Sequence, residues 1–91
     1  MGVLTLELRI DHAHSLKEKR HVVKGLKDRL RERFNVAVAE IDHLDSWQHS
    51  VIAAVTVSGD RVHAEQVLQR VEADAAGVLG GSLASTSVEW L

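Results

Sequence analysis

The 91 residues contain no cysteine and no proline, and only one phenylalanine and two tryptophans stand for all the aromatic chemistry of the chain. Without cysteine, a disulfide framework and a thiolate metal site are both excluded, and a reducing cytoplasm is the expected compartment. The absence of proline, of internal repeats and of low-complexity segments leaves no linker, so one domain with one core is expected at this length. A chain this short buries only about 60–65% of its unfolded surface, so little of it is spare. No apolar run approaches the ~18 residues of a membrane span, and the start Met1-Gly2-Val3 lacks the charged-then-apolar layout of a signal peptide. Eleven Lys and Arg against thirteen Asp and Glu give a net charge of -2. That balance excludes a wholly basic nucleic-acid protein and a disordered acidic tail alike.

What is present is strongly periodic. Residues 3–10 (VLTLELRI) alternate, Leu4, Leu6, Leu8 and Ile10 against Thr5, Glu7 and Arg9, as a half-buried strand does. Ser15-Leu16-Lys17-Glu18 has the form of a capping box, placing a helix start at about Leu16. Leu16, Val22, Val23, Leu26, Leu30 and Phe34 then recur at helical spacing, carrying the helix to about Arg33 across Gly25, which costs ~1 kcal/mol relative to alanine. Residues 35–43 and 49–58 are rich in valine, isoleucine and alanine and flank a polar break at 44–48, the pattern of a hairpin. Ser58-Gly59-Asp60 offers a turn and an N-cap before a second amphipathic helix through Val62, Val67, Leu68, Val71, Ala75 and Val78, which Gly80-Gly81 ends. Residues 82–91 close the chain as a strand, with Trp90 as its anchor.

Strand, helix, strand, strand, helix, strand is the split βαβ order of ferredoxin-like α+β folds. Right-handed crossovers then place both helices on one face of a four-stranded antiparallel sheet in order 4-1-3-2. The opposite face has no helix to cover it, and the middle strands are apolar at both parities. A homodimer packed sheet to sheet is therefore expected, with Val36, Val38, Ile52 and Ala54 as interface residues. The alternative is a monomer that tolerates alanine and valine on an exposed face.

Charge is segregated by element. Residues 17–33 hold eight of the eleven basic side chains against Glu18, Asp28 and Glu32, a segment charge of +5 that leaves -7 on the remainder. On a helical wheel Lys17, Arg20, Lys24, Lys27 and Arg31 fall within one sector of about 80°. Five cations along ~20 Å of helix can meet successive phosphates of a nucleic acid. The competing reading is an ordinary solvated helix face. No paired aromatics stand in the middle strands to stack bases as an RNA-recognition motif does, so any RNA contact is expected at backbone and shape.

A second cluster is Asp11, His12 and His14 after the first strand with Asp42, His43, Asp45 and His49 around the hairpin, all at one end of the sheet. Imidazole and carboxylate suit zinc, iron or manganese, but the first and second strands lie roughly 10 Å apart with the third between them, and Asp and His are also ordinary turn residues. No metal or cofactor is assigned. No catalytic residue is assigned either, because no nucleophile elbow and no glycine-rich phosphate loop is present. Trp47, in the hairpin loop, is expected as a lid on the core, with an exposed contact as the alternative.

The block His14-Ser15-Leu16-Lys17-Glu18-Lys19-Arg20, followed by Val22-Val23-Lys24, Leu26-Lys27, Arg29 and Arg31 and then by residues 34–40 (FNVAVAE), closely resembles the YlxP-like family. The likeness continues through Asp42, Trp47-Gln48 and the valine-rich third strand and so covers almost the whole chain. It implies a small bacterial cytoplasmic protein with a ferredoxin-like fold and no assigned enzymatic activity. It also implies a genomic neighbourhood of transcription-elongation, translation-initiation and ribosome-maturation genes. His12, His21, His43, His49 and His63 fall outside the matching blocks. Two functions are therefore expected in competition: a non-enzymatic accessory docking on structured RNA or a ribosomal particle through the basic helix, and a homo-oligomeric module binding a protein or ligand on the open sheet face.

Overall fold

The computed structural model describes residues 1–91: β1 (Gly2–Arg9), α1 (Leu16–Arg33), β2 (Ala37–Asp42), β3 (His49–Thr56), α2 (Arg61–Leu79), a 3-10 turn (Gly80–Ser82) and β4 (Leu83–Trp90). The strands form one antiparallel sheet ordered β2-β3-β1-β4, which is the expected 4-1-3-2 read from the other edge. Both helices pack on the same face, the ferredoxin-like βαββαβ arrangement. No helix is long and apolar enough to cross a membrane.

Local chemistry explains the boundaries. The Ser15 hydroxyl accepts from the Glu18 amide at 3.2 Å, and the Glu18 carboxylate accepts in return from the His14 amide at 2.8 Å. The capping box thus closes one residue earlier than the standard form, which uses the cap residue's own amide. Asp60 caps α2 by accepting from Val62 N at 2.9 Å. At the other end of α2, Gly80 takes φ = 54°, a conformation that favours glycine. Gly2 answers a different demand: a Cβ there would lie 2.6 Å from the Trp90 ring and 2.8 Å from Leu68, so β1 can start only as glycine under that ring.

The core lies between sheet and helices. Leu4, Leu6, Leu8 and Ile10 of the β1 segment are fully buried against Val23, Leu26 and Leu30 of α1 and Leu68, Val71, Ala75 and Leu79 of α2. Each such side chain contributes on the order of 1.5–3 kcal/mol of hydrophobic stabilisation. The two helices are also clamped together. Arg29 donates to both oxygens of Asp74, at 2.8 and 3.1 Å, and Arg33 approaches the same carboxylate at 3.5 Å.

The register decides which residues face the helices. Leu4 stands opposite Ala54 and Leu6 opposite Ile52, while Val38 stands opposite Ala54 on the other side of β3. Val38, Ile52 and Ala54 therefore lie in the core at 5% exposure or less, and Val36 is half-buried against it. Val38, Ile52 and Ala54 are thus not available to a partner sheet, which corrects the expected interface, while Val36 stays partly exposed beside Ala37 and Val55. The uncovered face carries the opposite parity: Ala37 and Ala39 of β2, Val51, Ala53 and Val55 of β3, Val3, Thr5 and Glu7 of β1, and Ser85, Ser87 and Glu89 of β4. Its β2–β3 half is apolar and its β1–β4 half largely polar.

Candidate functional site

The eight basic side chains of α1 divide into groups that do different things. Lys19 is fully buried. Arg29 and Arg33 are held by Asp74. Lys24 and Arg31 share Asp28, at 2.6 and 4.0 Å, and Arg31 also donates to the Val38 carbonyl. The Lys24 ammonium beside Asp28 holds that carboxyl below its ordinary range, chiefly through their hydrogen bond. Lys17, Arg20 and Lys27 have no carboxylate within 4.0 Å. Lys17, Arg20, Lys24 and Arg31 are exposed and Lys27 is half-buried, so the five proposed from the wheel do lie along one face, three of them unpaired.

Two depressions flank this row. One, of about 760 Å³, lies beside the first turns of α1 and is lined by His12, Ala13, Lys17, Arg20, His21 and Val22 among others. The other runs between α1 and β2, past Arg20, Lys24, Lys27, Asp28, Arg31 and Glu40. A docked polyanion would meet the cations of the row one after another, roughly one per helical turn.

Sequence reasoning missed the role of Lys19. Its ammonium lies 2.8 Å from Glu40 Oε2 and donates to the carbonyls of His43 at 2.7 Å and Leu44 at 3.1 Å, while the Ser50 hydroxyl donates to the same Glu40 oxygen at 2.6 Å. All three ammonium protons thus find acceptors, as a buried charge requires. His43 sits in the left-handed region at φ = 58°, where the chain turns into the hairpin loop whose carbonyls meet Lys19. The signal was available: Lys19 precedes Val23, Leu26 and Leu30 at helical spacing, so a lysine occupies a position of the buried stripe.

The Asp and His residues share one end of the sheet, as the topology required. The Ile10 amide donates to the Gln48 carbonyl at 2.8 Å, and the Gln48 side chain reaches the Asp11 carbonyl at 3.2 Å. The side chains do not converge. Asp42 caps the adjacent His43 amide at 2.7 Å, the His43 and His49 rings sit 5.8 Å apart, and no three His, Asp or Glu groups come together as a metal site would need. Asp11, His12 and His14 therefore stay apart from Asp42 and His43 as ligands. Trp47 is 55% exposed and is not a lid on the core. Trp90 does pack against the core, with the Arg61 guanidinium 4.5 Å above its ring.

Fold and surface together define a small ferredoxin-like domain with one strongly cationic helix face and a half-apolar open sheet. Its relatives carry the same absence of assigned chemistry. The chain belongs to a family of proteins of unknown function, DUF503, whose model matches residues 1–87. It is 42% identical over 71 residues to the uncharacterized protein YlxP of Bacillus subtilis (strain 168), covering 78% of this chain and 77% of that protein. Among solved structures it is similar to a dimeric ferredoxin-like protein of unknown function from Thermobifida fusca YX. The TM-score is 0.51 at 14% identity, over 98% of this chain and 88% of that one, a likeness of fold.

Proposed function

We propose that this protein is a non-enzymatic accessory of the bacterial cytoplasm that docks on structured RNA or a ribosomal particle through the outer face of α1. One observation carries the reading: Lys17, Arg20 and Lys27 stand unpaired along that face with Lys24 and Arg31 between and beyond them, although the chain as a whole is acidic. A net-negative protein that concentrates its cations on one helix has a directional electrostatic footprint, which suits a phosphate backbone met from one side. Fluorescence anisotropy against a structured ribosomal RNA fragment, across a salt series, tests it. The expected result is a steep loss of affinity with salt, equivalent to ~3–5 phosphate contacts. Absent or salt-insensitive binding would end the proposal.

The second reading is self-association through the apolar half of the open sheet. Val57 is 74% and Ile41 55% exposed beside Val51, Ala53 and Val55, and the structural neighbour from Thermobifida fusca YX is described as dimeric. Ile52→Asp would unfold the core rather than split a dimer, so the informative substitution is Val55→Asp on the open face. Sedimentation equilibrium should show a dimer at micromolar concentration and a monomer for the variant. A monomeric wild type removes this reading.

A further inference from the structure

The depression beside the first turns of α1 differs in kind from the rest of the cationic row, and the difference bears on which RNA is recognised. Resting on the RNA reading above, we infer that this depression seats one unpaired nucleotide, while the later turns of α1 follow the phosphates of an adjoining stem. Its lining combines Ala13 and Val22 with two imidazoles, His12 and His21, the Arg20 guanidinium and the Lys17 ammonium, and its one carboxylate, Glu18, already accepts from the His14 amide. His12 comes from the turn after β1 and His21 from α1, so two separate elements bring these planar groups to one concavity. At about 760 Å³ its volume lies within the ~300–1,000 Å³ of ligand pockets, although it stays open on one side.

An unstacked base offers the chemistry this lining fits. Imidazole and guanidinium planes stack on base faces, alanine and valine accept the apolar contact, and a lysine at the rim reaches the attached phosphate. A continuous RNA duplex presents none of this, because its bases are stacked and its major groove is too narrow for side chains to read. The sheet, which base-stacking proteins of related topology use, has no aromatic ring on its open face here, so a stacking contact falls to the histidine and arginine planes. Lys27 and Arg31 lie two to three turns farther along α1 and border the second depression, which contains none of the imidazoles. Backbone tracking and nucleotide capture are thereby assigned to different parts of one helix.

The test compares two fluorescein-labelled RNAs of equal length by anisotropy at one salt concentration, a hairpin with an unpaired loop and a blunt duplex. The wild type should bind the hairpin at least about tenfold more tightly. His12→Ala combined with His21→Ala, both at exposed positions, should remove that preference and leave duplex affinity within about twofold. Circular dichroism of the variant verifies that the fold is kept. Lys27→Glu combined with Arg31→Glu should weaken both RNAs together and keep their ratio. Equal wild-type affinity for hairpin and duplex overturns the nucleotide pocket and leaves the backbone reading of α1 standing. A His12/His21 variant that keeps the full preference also overturns the pocket, and binding to neither RNA overturns both.

Discussion

α1 and α2 lie on the same face of one sheet, with 18 and 19 residues, and each buries one apolar stripe in the same core, α1 chiefly over β2 and α2 chiefly over β1. Their outer faces have little in common. α1 carries eight basic against three acidic residues, and α2 carries two against three. α2 demonstrates that this architecture builds a stable second layer without surplus cations, so the fold does not require the charge on α1. Nor is the charge uniform in what it does. Lys19 and Arg20 are neighbours in the chain, one sealed between helix and sheet and the other exposed, and only the second is available to a partner.

The sharpest way to separate those neighbours is to remove each. Lys19→Ala would leave Glu40 with Ser50 as its remaining donor, and two loop carbonyls without theirs, in a part-buried setting, a loss of about 3 kcal/mol measured by urea unfolding. A stability unchanged within ~0.5 kcal/mol would mean the network contributes nothing net. Arg20→Glu with Lys27→Glu should do the opposite. Folding stability stays within about 0.5 kcal/mol of wild type, while RNA affinity at ~0.1 M salt drops at least about tenfold and the salt slope flattens. If that pair reduced stability and spared binding, the division between inner and outer cations would collapse.

The clamp between the helices supplies a pH-dependent contrast. Hydrogen bonds from Arg29, and then the charges of Arg29 and Arg33, hold the Asp74 carboxyl below its ordinary value despite partial burial. A carboxylate lowered by folding stabilises the native state above its unfolded pKa of about 4, and that contribution is lost as pH falls through the lower, native value. Asp74→Asn should therefore lower the thermal midpoint at pH 7 and shrink the difference from wild type on titrating below pH 4. A difference constant down to pH 2 would deny the clamp its electrostatic part. The smallest effect is the one place where the helices should agree. Gly25 in α1 and Gly77 in α2 are both exposed with nothing within 4 Å of an added Cβ, so Gly25→Ala and Gly77→Ala should each stabilise by about 0.5–1 kcal/mol. Unequal gains would show that the outer face of α1 is strained by its charges.

Most of the architecture was legible because periodicity alone carries it. The leucines of β1, the caps at Ser15 and Asp60 and the glycines after α2 each speak through local chemistry that later folding does not alter. The face of β2 and β3 was not legible. Both strands are apolar at even and odd positions, so parity becomes visible only once Leu6 is paired with Ile52 and Leu4 with Ala54. The cationic row was readable from the wheel, but its division into free and engaged members was not. Asp74 is 45 residues from Arg29, and no local pattern joins them. That His12 and His21 border one depression was not legible for the same reason, since the turn after β1 brings them together only in three dimensions.

All four lysines of the chain, Lys17, Lys19, Lys24 and Lys27, belong to α1. Apart from the amino terminus, an amine-selective reagent therefore modifies one helix and nothing else. Three of its targets report whether the outer face is occupied, and the sealed one stays unmodified until the domain opens. A single peptide-mapping experiment on the unaltered protein thus carries both a footprint of the partner and an internal clock for global unfolding.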